Sequence, residues 1–321
     1  MRRCPVTAVK TLDDALAVVR EVMPEPTPLV ARPGLDRDGR EILLKREDVG
    51  PCAAFKWRGA LCVLTELSAQ GAEGVVTSST GNHGAATAWA ATRLGMTAHV
   101  VVPVGASERK QALIAEHGAT LQQRGSDLDE AAEEARALAE ERGLPFVEDG
   151  ASAAQLLGTG TIGAELDGQG LDVVVVPLAC GALAGGLATV LKAGASPPWI
   201  VGVQSAAFPR LGALWRGDPD PGISQGRSFA GGLADSRIVE PAFSACRALD
   251  DVVAVDDAQL EEAIRTLHRE LGDLVEGAAA APLAALHAFG DRIPPGRVGL
   301  VVSGANLDPE DEARILGRPL P

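Results

Sequence analysis

The chain has 321 residues, enough for two domains of ordinary size or one large α/β unit, and 46% of them are apolar, so a sizeable core can be buried. Charged residues make up 22% and are evenly spread, as in a chain that folds. The net charge of −14 argues against binding a nucleic-acid backbone, which needs clustered Lys and Arg, yet allows one anionic cofactor held locally by backbone N–H groups.

In chain order, Thr11 to Val22 reads as a helix, capped by Thr11, with Asp13 and Asp14 in its first turn and Pro24 beyond its end. Pro24 to Leu29 is extended, because residues before proline avoid the α region. Glu41 to Lys45 is a short strand. Helix and strand then alternate: Phe55 to Gln70 helical, Gly74 to Thr77 a strand, Gly84 to Leu94 helical, Ala98 to Pro103 a strand. Ser107 to His117 is helical, Thr120 to Gln123 a strand, Ser126 to Arg142 an Ala/Glu-rich helix, and Phe146-Val147 opens another strand. Such alternation implies a parallel sheet covered by helices. A second set follows, with strands at Asp172 to Pro177, Trp199 to Gln204, Asp251 to Val255 and Val298 to Val302, and a helix at Leu183 to Lys192. Residues 205–240, rich in Gly, Pro and Ser, read as loops over a site, and the tail after Asn306 as loosely held.

The five cysteines, Cys4, Cys52, Cys62, Cys180 and Cys246, are odd in number and form no CxxC pair. Neither a disulfide framework nor a zinc site is indicated, and reduced thiols in a cytoplasmic protein are the simplest reading. Met1 to Pro5 is not followed by an apolar signal core, and no apolar run is long enough for a membrane span.

Three Gly-rich turns follow strands: Ser78 to Gly84, Ala179-Cys180-Gly181-Ala182 and Ser303-Gly304-Ala305-Asn306. Ligands of parallel α/β folds sit beyond the carboxyl ends of strands, and the first two turns open helices whose free N–H groups can hold an anion. Lys56 lies beside Phe55 at a helix start. In such apolar company its pKa is expected to be depressed, leaving an amine able to form a Schiff base. Two anion sites and one lysine suit a phosphorylated cofactor and a carboxylate substrate.

These residues resemble the fold-type II pyridoxal-phosphate (PLP) enzymes, the tryptophan-synthase-β-like superfamily, and within it the threonine/serine dehydratase group. The group's K-x-E, P and S-F-K-x-R-G-A pattern is met by Lys45, Glu47, Pro51, Phe55, Lys56, Arg58, Gly59 and Ala60. Its S-x-G-N-H-G turn is met by Ser79, Gly81, Asn82, His83 and Gly84, and its G-T-I-x-x-E segment by Gly160, Thr161, Ile162 and Glu165. Its E-G-A-x-A segment is met by Glu276, Gly277, Ala278 and Ala280, and its terminal S-G-G-N in part by Ser303, Gly304 and Asn306.

The resemblance implies a two-domain α/β fold with an open twisted parallel sheet, a small domain over residues 50–150 and a large PLP-binding domain from 1–49 plus 151–321. It implies that Lys56 carries PLP and later moves the Cα proton, that Phe55 packs near the ring, and that Asn82 bonds the phenolic oxygen. The turn Ala179, Cys180, Gly181, Ala182 and Leu183 cradles the phosphate, Gly232 and Glu276 border the cofactor, and Ser303 faces the pyridine nitrogen. Ser79, Thr80, Gly81, Asn82 and His83 surround the substrate carboxylate. A serine hydroxyl is too weak an acid to keep the ring nitrogen protonated, which suits β-elimination. The reaction implied is loss of a β-substituent from a small amino acid such as threonine or serine, giving a 2-oxo acid and ammonia, in a cytoplasmic homodimer. Feedback control through a C-terminal regulatory domain is not expected, since the chain ends near residue 321.

Departures from the pattern bear on substrate and geometry. One glycine remains in a phosphate turn that usually has four, so an altered geometry is expected there. Ala54 and Ala305 replace the usual Ser and second Gly. Gly231 and Gln204 stand where the family's metal-binding members carry acids, so no divalent metal is expected. Two alternatives keep the cofactor: β-replacement, or racemisation with Thr80 as the acid on the opposite face. A third is a catalytically silent PLP- or amino-acid-binding protein. Gly158 to Gly163 is a literal G-x-G-x-x-G, but it follows no strand and no acid trails it at the right distance, so dinucleotide binding is not expected. His83 could act through its backbone rather than its ring.

Overall fold

The computed structural model describes residues 8–224 and 226–318; Cys4 and the Met1 to Pro5 stretch lie outside them. The elements run α1 (Leu12–Arg20), β1 (Leu29–Ala31), β2 (Arg40–Arg46), α2 (Trp57–Ala69), β3 (Gly74–Ser78), α3 (Asn82–Leu94), β4 (Thr97–Val102), α4 (Glu108–Ala115), β5 (Thr120–Gln123), α5 (Leu128–Arg142) and α6 (Ala153–Leu166). There follow β6 (Val173–Pro177), α7 (Ala182–Lys192), β7 (Trp199–Ser205), α8 (Arg210–Arg216), α9 (Ala242–Ala245), β8 (Asp251–Val255), α10 (Asp257–Leu271), α11 (Gly277–Ala288), β9 (Gly296–Val302) and α12 (Pro309–Leu316).

The strands form two sheets, one of order β1-β2-β9-β6-β7-β8 and one of order β3-β4-β5. All pairings are parallel except β1 with β2. Period-two side-chain alternation explains why β6 is apolar throughout. Val173 and Val175 face a core shared with α10 and α11, while Val174 and Val176 face one shared with α6 and α7. The smaller sheet repeats this scheme: Val75, Val100 and Val102 pack on α2 and α3, and Val76 and Val101 on α5. Ala15, Val18 and Val19 of α1 join that same core under β3 and β4, although they precede residue 50.

Three local expectations are corrected. Phe146-Val147 makes a single parallel bridge with Val76 rather than a strand, because the chain turns away at Gly150, whose φ is +88°. The 205–240 stretch is loop over most of its length and lines a cleft with Ser224, Arg227 and Asp235, but it also contains α8, with Leu211, Gly212 and Ala213 buried. The tail is docked by α12: Ile315 is buried, and its carbonyl accepts from Arg265 Nε at 2.9 Å. α6, α10 and α11 are helices beyond those the sequence pattern predicts; α10 is set by an Asp256/Gln259 capping box, and α11 is an Ala-rich helix buried from Gly277 to Leu286.

The literal G-x-G-x-x-G lies inside α6, where its glycines permit close helix packing. A Cβ on Gly158 would meet the Arg58 carbonyl at 2.6 Å, and one on Gly163 the Leu187 carbonyl at 2.7 Å. Neither obstacle is a flexible side chain. Gly163→Ala is therefore expected to lower stability by about 1–3 kcal/mol, the usual cost of overpacking. A urea-unfolding midpoint equal to the parent's would show that α6 and α7 are not packed this tightly.

Candidate active site

The expected site residues converge beyond the C-terminal ends of β2, β3, β6 and β9. Ser78 to His83 follows β3, the 179–183 turn follows β6, and Ser303 follows β9. Lys56 stands at the N-cap of α2. The segment before it is laced to the segment after β9. Phe55 N–H donates to the Ser303 carbonyl at 2.9 Å, Ala305 N–H to the Ala53 carbonyl at 2.8 Å, and Asn306 Nδ2 to the Cys52 carbonyl at 2.8 Å. Cys52 and Ala53 hold φ of 62° and 48°, a left-handed backbone that costs alanine and cysteine energy and persists under such bonding.

The other charged residues of the same motif do not line the site. Arg58 is fully buried and donates to Glu47 at 2.8 Å, Glu165 at 2.6 Å and Thr161 at 2.9 Å. Lys45 joins at 2.5 Å from Glu165 and 2.8 Å from the Thr27 carbonyl. Two cations and two carboxylates from β2, α2 and α6 thus neutralise one another inside the protein.

A narrow slot is lined by Phe55, Lys56, Asn82, the 179–183 turn, Gly232, Glu276 and Ser303. It opens to a cleft of about 1020 Å³ that Ser79, Thr80, Gly81, Asn82 and His83 border. Gly181, the glycine retained in the turn, has φ +98°, and a Cβ there would meet Cys246 Sγ at 2.7 Å and the Ala242 carbonyl at 3.1 Å. Ala179, Cys180 and Ala182 occupy positions that need no positive φ, so the turn keeps glycine where geometry demands it. It opens α7, whose first N–H groups and dipole favour an anion.

Asn82 Nδ2 donates to both Glu276 oxygens at 2.9 Å, and Asn82 Oδ1 accepts from Asn306 Nδ2 at 2.8 Å. Burial pushes the Glu276 carboxyl up to about 7, with the Asn82 bonds pulling the other way. The His83 ring turns away from the expected carboxylate position: Nε2 lies 3.3 Å from the Val147 carbonyl and Nδ1 3.7 Å from Asp149 Oδ1. What His83 can offer at the helix start is its N–H.

Lys56 corrects an expectation. Its Nζ lies 5.0 Å from the Phe55 ring centre, but it is also paired with Asp149. Burial pulls the lysine's pKa down; the charge and hydrogen bond of Asp149, together with Cys180 and Asp235, outweigh that and hold it above its ordinary value. Asp149 was not read as a site residue, because Glu148-Asp149-Gly150 carries no signal beyond an ordinary turn. Ser78, which opens the turn after β3, has a buried Oγ with no hydrogen-bond partner among the described residues. At Gly231 and Gln204 no carboxylate is offered, and the Gln204 amide is occupied by the Gly212 N–H at 2.9 Å and the Pro209 carbonyl at 3.3 Å.

A PLP-like group fits these residues. The slot has a primary amine at its wall for an aldehyde, a helix N-terminus with its one αL glycine for a phosphate, and a buried hydroxyl at Ser303 for a ring nitrogen. Residues 22–304 match the model of the family described as pyridoxal-phosphate dependent enzyme. The chain belongs to that family. PLP is its cofactor. Among relatives of this PLP enzyme, the L-threonine dehydratase biosynthetic IlvA of Pasteurella multocida is 32% identical over 85% of this chain and 54% of that protein. The chain thus spans about half the length of that relative. A solved T.th. threonine deaminase is 31% identical, covers 93% of this chain and 99% of its own, and superposes with a TM-score of 0.84. The maize serine racemase structure is 25% identical, covers 97% of each chain, and gives 0.88.

If Lys56 carries the cofactor, borohydride reduction of the holoenzyme followed by peptide mapping will place the pyridoxyl group on Lys56. A label on another lysine would remove Lys56 from that role.

Proposed function

We propose that this enzyme eliminates the β-hydroxyl of a small amino acid such as threonine or serine, releasing a 2-oxo acid and ammonia. The observation that carries the reading is the convergence in one slot of Lys56, the helix start at 179–183 and an uncharged hydroxyl, Ser303. The two dehydratase or deaminase relatives support it.

When bound, PLP draws electrons from the substrate's Cα and so weakens the Cα–H bond. The N–H groups of the Ser79–His83 turn hold the substrate carboxylate at the start of α3. Those of the 179–183 turn hold the phosphate. Lys56 Nζ accepts the Cα proton and returns one to the departing hydroxyl, which leaves as water. Ser303 offers the ring nitrogen a hydrogen bond without charging it. In this reading the enzyme works in the cytoplasm as a homodimer, an expectation that rests on family likeness. No helix among the described residues is long and apolar enough to cross a membrane. Racemisation is the second reading, favoured by the likeness to maize serine racemase and by Thr80 at the cleft wall.

A screen of amino acids against the holoenzyme is expected to give 2-oxo acid and ammonia in equal amounts with threonine or serine. Inversion of the amino acid with neither product would replace elimination by racemisation.

Ser303→Asp places a carboxylate where the reading puts the ring nitrogen, and an opposite charge favours a protonated ring. Transamination to pyridoxamine phosphate is then expected to rise relative to elimination, with a changed cofactor spectrum. An unchanged product ratio and spectrum would show that Ser303 does not face that nitrogen.

A further inference from the structure

Asp149 projects from the turn between the Phe146 bridge and α6 into the cleft, and its carboxylate is oriented at both oxygens. Oδ2 contacts Lys56 Nζ. Oδ1 accepts from Gln155 Nε2 at 2.6 Å, and Gln155 Oε1 in turn accepts from the Gly150 N–H at 2.8 Å. The glutamine thus ties the carboxylate to its own turn and leaves one oxygen for the lysine. The side chains of Lys56 and Asp149 are only 16% and 14% exposed, so water screens the pair little.

We propose that Asp149 is a positioning residue for Lys56: it holds the ε-ammonium at the cleft wall in the cofactor-free chain and again once Nζ has taken up the Cα proton. The proposal rests on the elimination reading above and deepens it. As a free, neutral amine, Nζ would take up the Cα proton: the Cα–H bond breaks, its electron pair stays with the substrate, and a third N–H bond forms on nitrogen. The ammonium so produced lies against a carboxylate already in place. Asp149 itself neither gains nor loses a proton. The same proton leaves Nζ with the β-hydroxyl when the C–O bond breaks.

The surroundings bear on the charge of the lysine from every side. His83 of α3 stands against Asp149, with burial pushing its ring pKa down. Cys180 of the 179–183 turn, Asp235 and Arg237 from the segment after Gly232, and Glu276 at the start of α11 also face the pair. Arg237 is itself satisfied by Asp235 at 3.1 Å and Glu148 at 3.6 Å, which leaves Asp149 as the direct counter-charge of Lys56.

Sign follows from geometry. With Asp149 present, Lys56 keeps its proton to higher pH than an exposed lysine; with a neutral side chain there, burial is opposed only by Cys180 and Asp235, and the proton is lost at lower pH. The test is competitive acetylation of the cofactor-free full chain across pH, with peptide mass spectrometry comparing Lys56 with exposed Lys10. In the parent, the Lys56 midpoint is expected above that of an ordinary lysine side chain, about 10.4; a midpoint below that overturns the proposal without any variant. Asp149→Asn is expected to lower the Lys56 midpoint by about one unit or more, seen as about tenfold more labelling at a pH below the midpoint. PLP uptake at neutral pH should then quicken while kcat falls, whereas a loss of mere packing would slow both. Asp149→Glu should restore the high midpoint. An Asp149→Asn midpoint equal to the parent's also overturns the proposal. Because no substrate enters the labelling, the result stands apart from the product screen, whose failure would sink the elimination reading alone.

Discussion

Arg58 sits at zero exposure between Glu47 and Glu165, one helical turn's reach from Lys56, and the site is built around that burial. The three side chains come from α2, from the end of β2 and from α6, with Lys45 and Thr27 completing the set. A buried ion without its partner costs about 3–5 kcal/mol, so none of these elements can shift far alone. The start of α2 is thereby fixed, and with it the position of the lysine. Much of the family motif is therefore scaffolding: Lys45, Glu47, Arg58, Thr161 and Glu165 hold the frame, and Phe55 and Lys56 face the slot.

On that frame, parallel pairing brings four strand ends to one edge. β2, β9 and β6 are neighbours in the large sheet, and their C-terminal ends deliver Lys56, Ser303 and the 179–183 turn to a common place. β3 brings the Ser78–His83 turn from the other sheet, joined across by the Asn82–Glu276 and Asn82–Asn306 bonds. These bonds also explain why Asn82 is not free to serve one partner only. Its amide is the hinge between α3, α11 and the segment after β9.

Backbone demands account for the departures from the family pattern. Three alanine or cysteine residues stand in a turn where glycine is usual, yet the position at φ +98° remains glycine. In this turn side chains stand where φ is negative, and glycine stands where Cys246 and Ala242 close in. The G-x-G-x-x-G string obeys the same logic on a helix: its glycines answer to the backbones of α2 and α7, and no nucleotide need be invoked.

Much was legible in the sequence because it depends on local pattern. Alternating apolar strands and capped helices determined the parallel α/β class, and ordered short motifs determined the PLP family and the turns that meet at the site. What tertiary structure decided are the terms set by residues distant in the chain. Gly150's turn cut the Phe146 strand to a bridge, and docking against α10 ordered α12 in a tail that read as loose. Most of all, the sequence around Phe55-Lys56 predicts a lysine depressed by apolar neighbours, and it is so for burial alone. The sign is reversed by Asp149, 93 residues away, because a charge at contact distance in a poorly screened site outweighs desolvation. No local pattern marks that aspartate; only the fold brings it to the lysine.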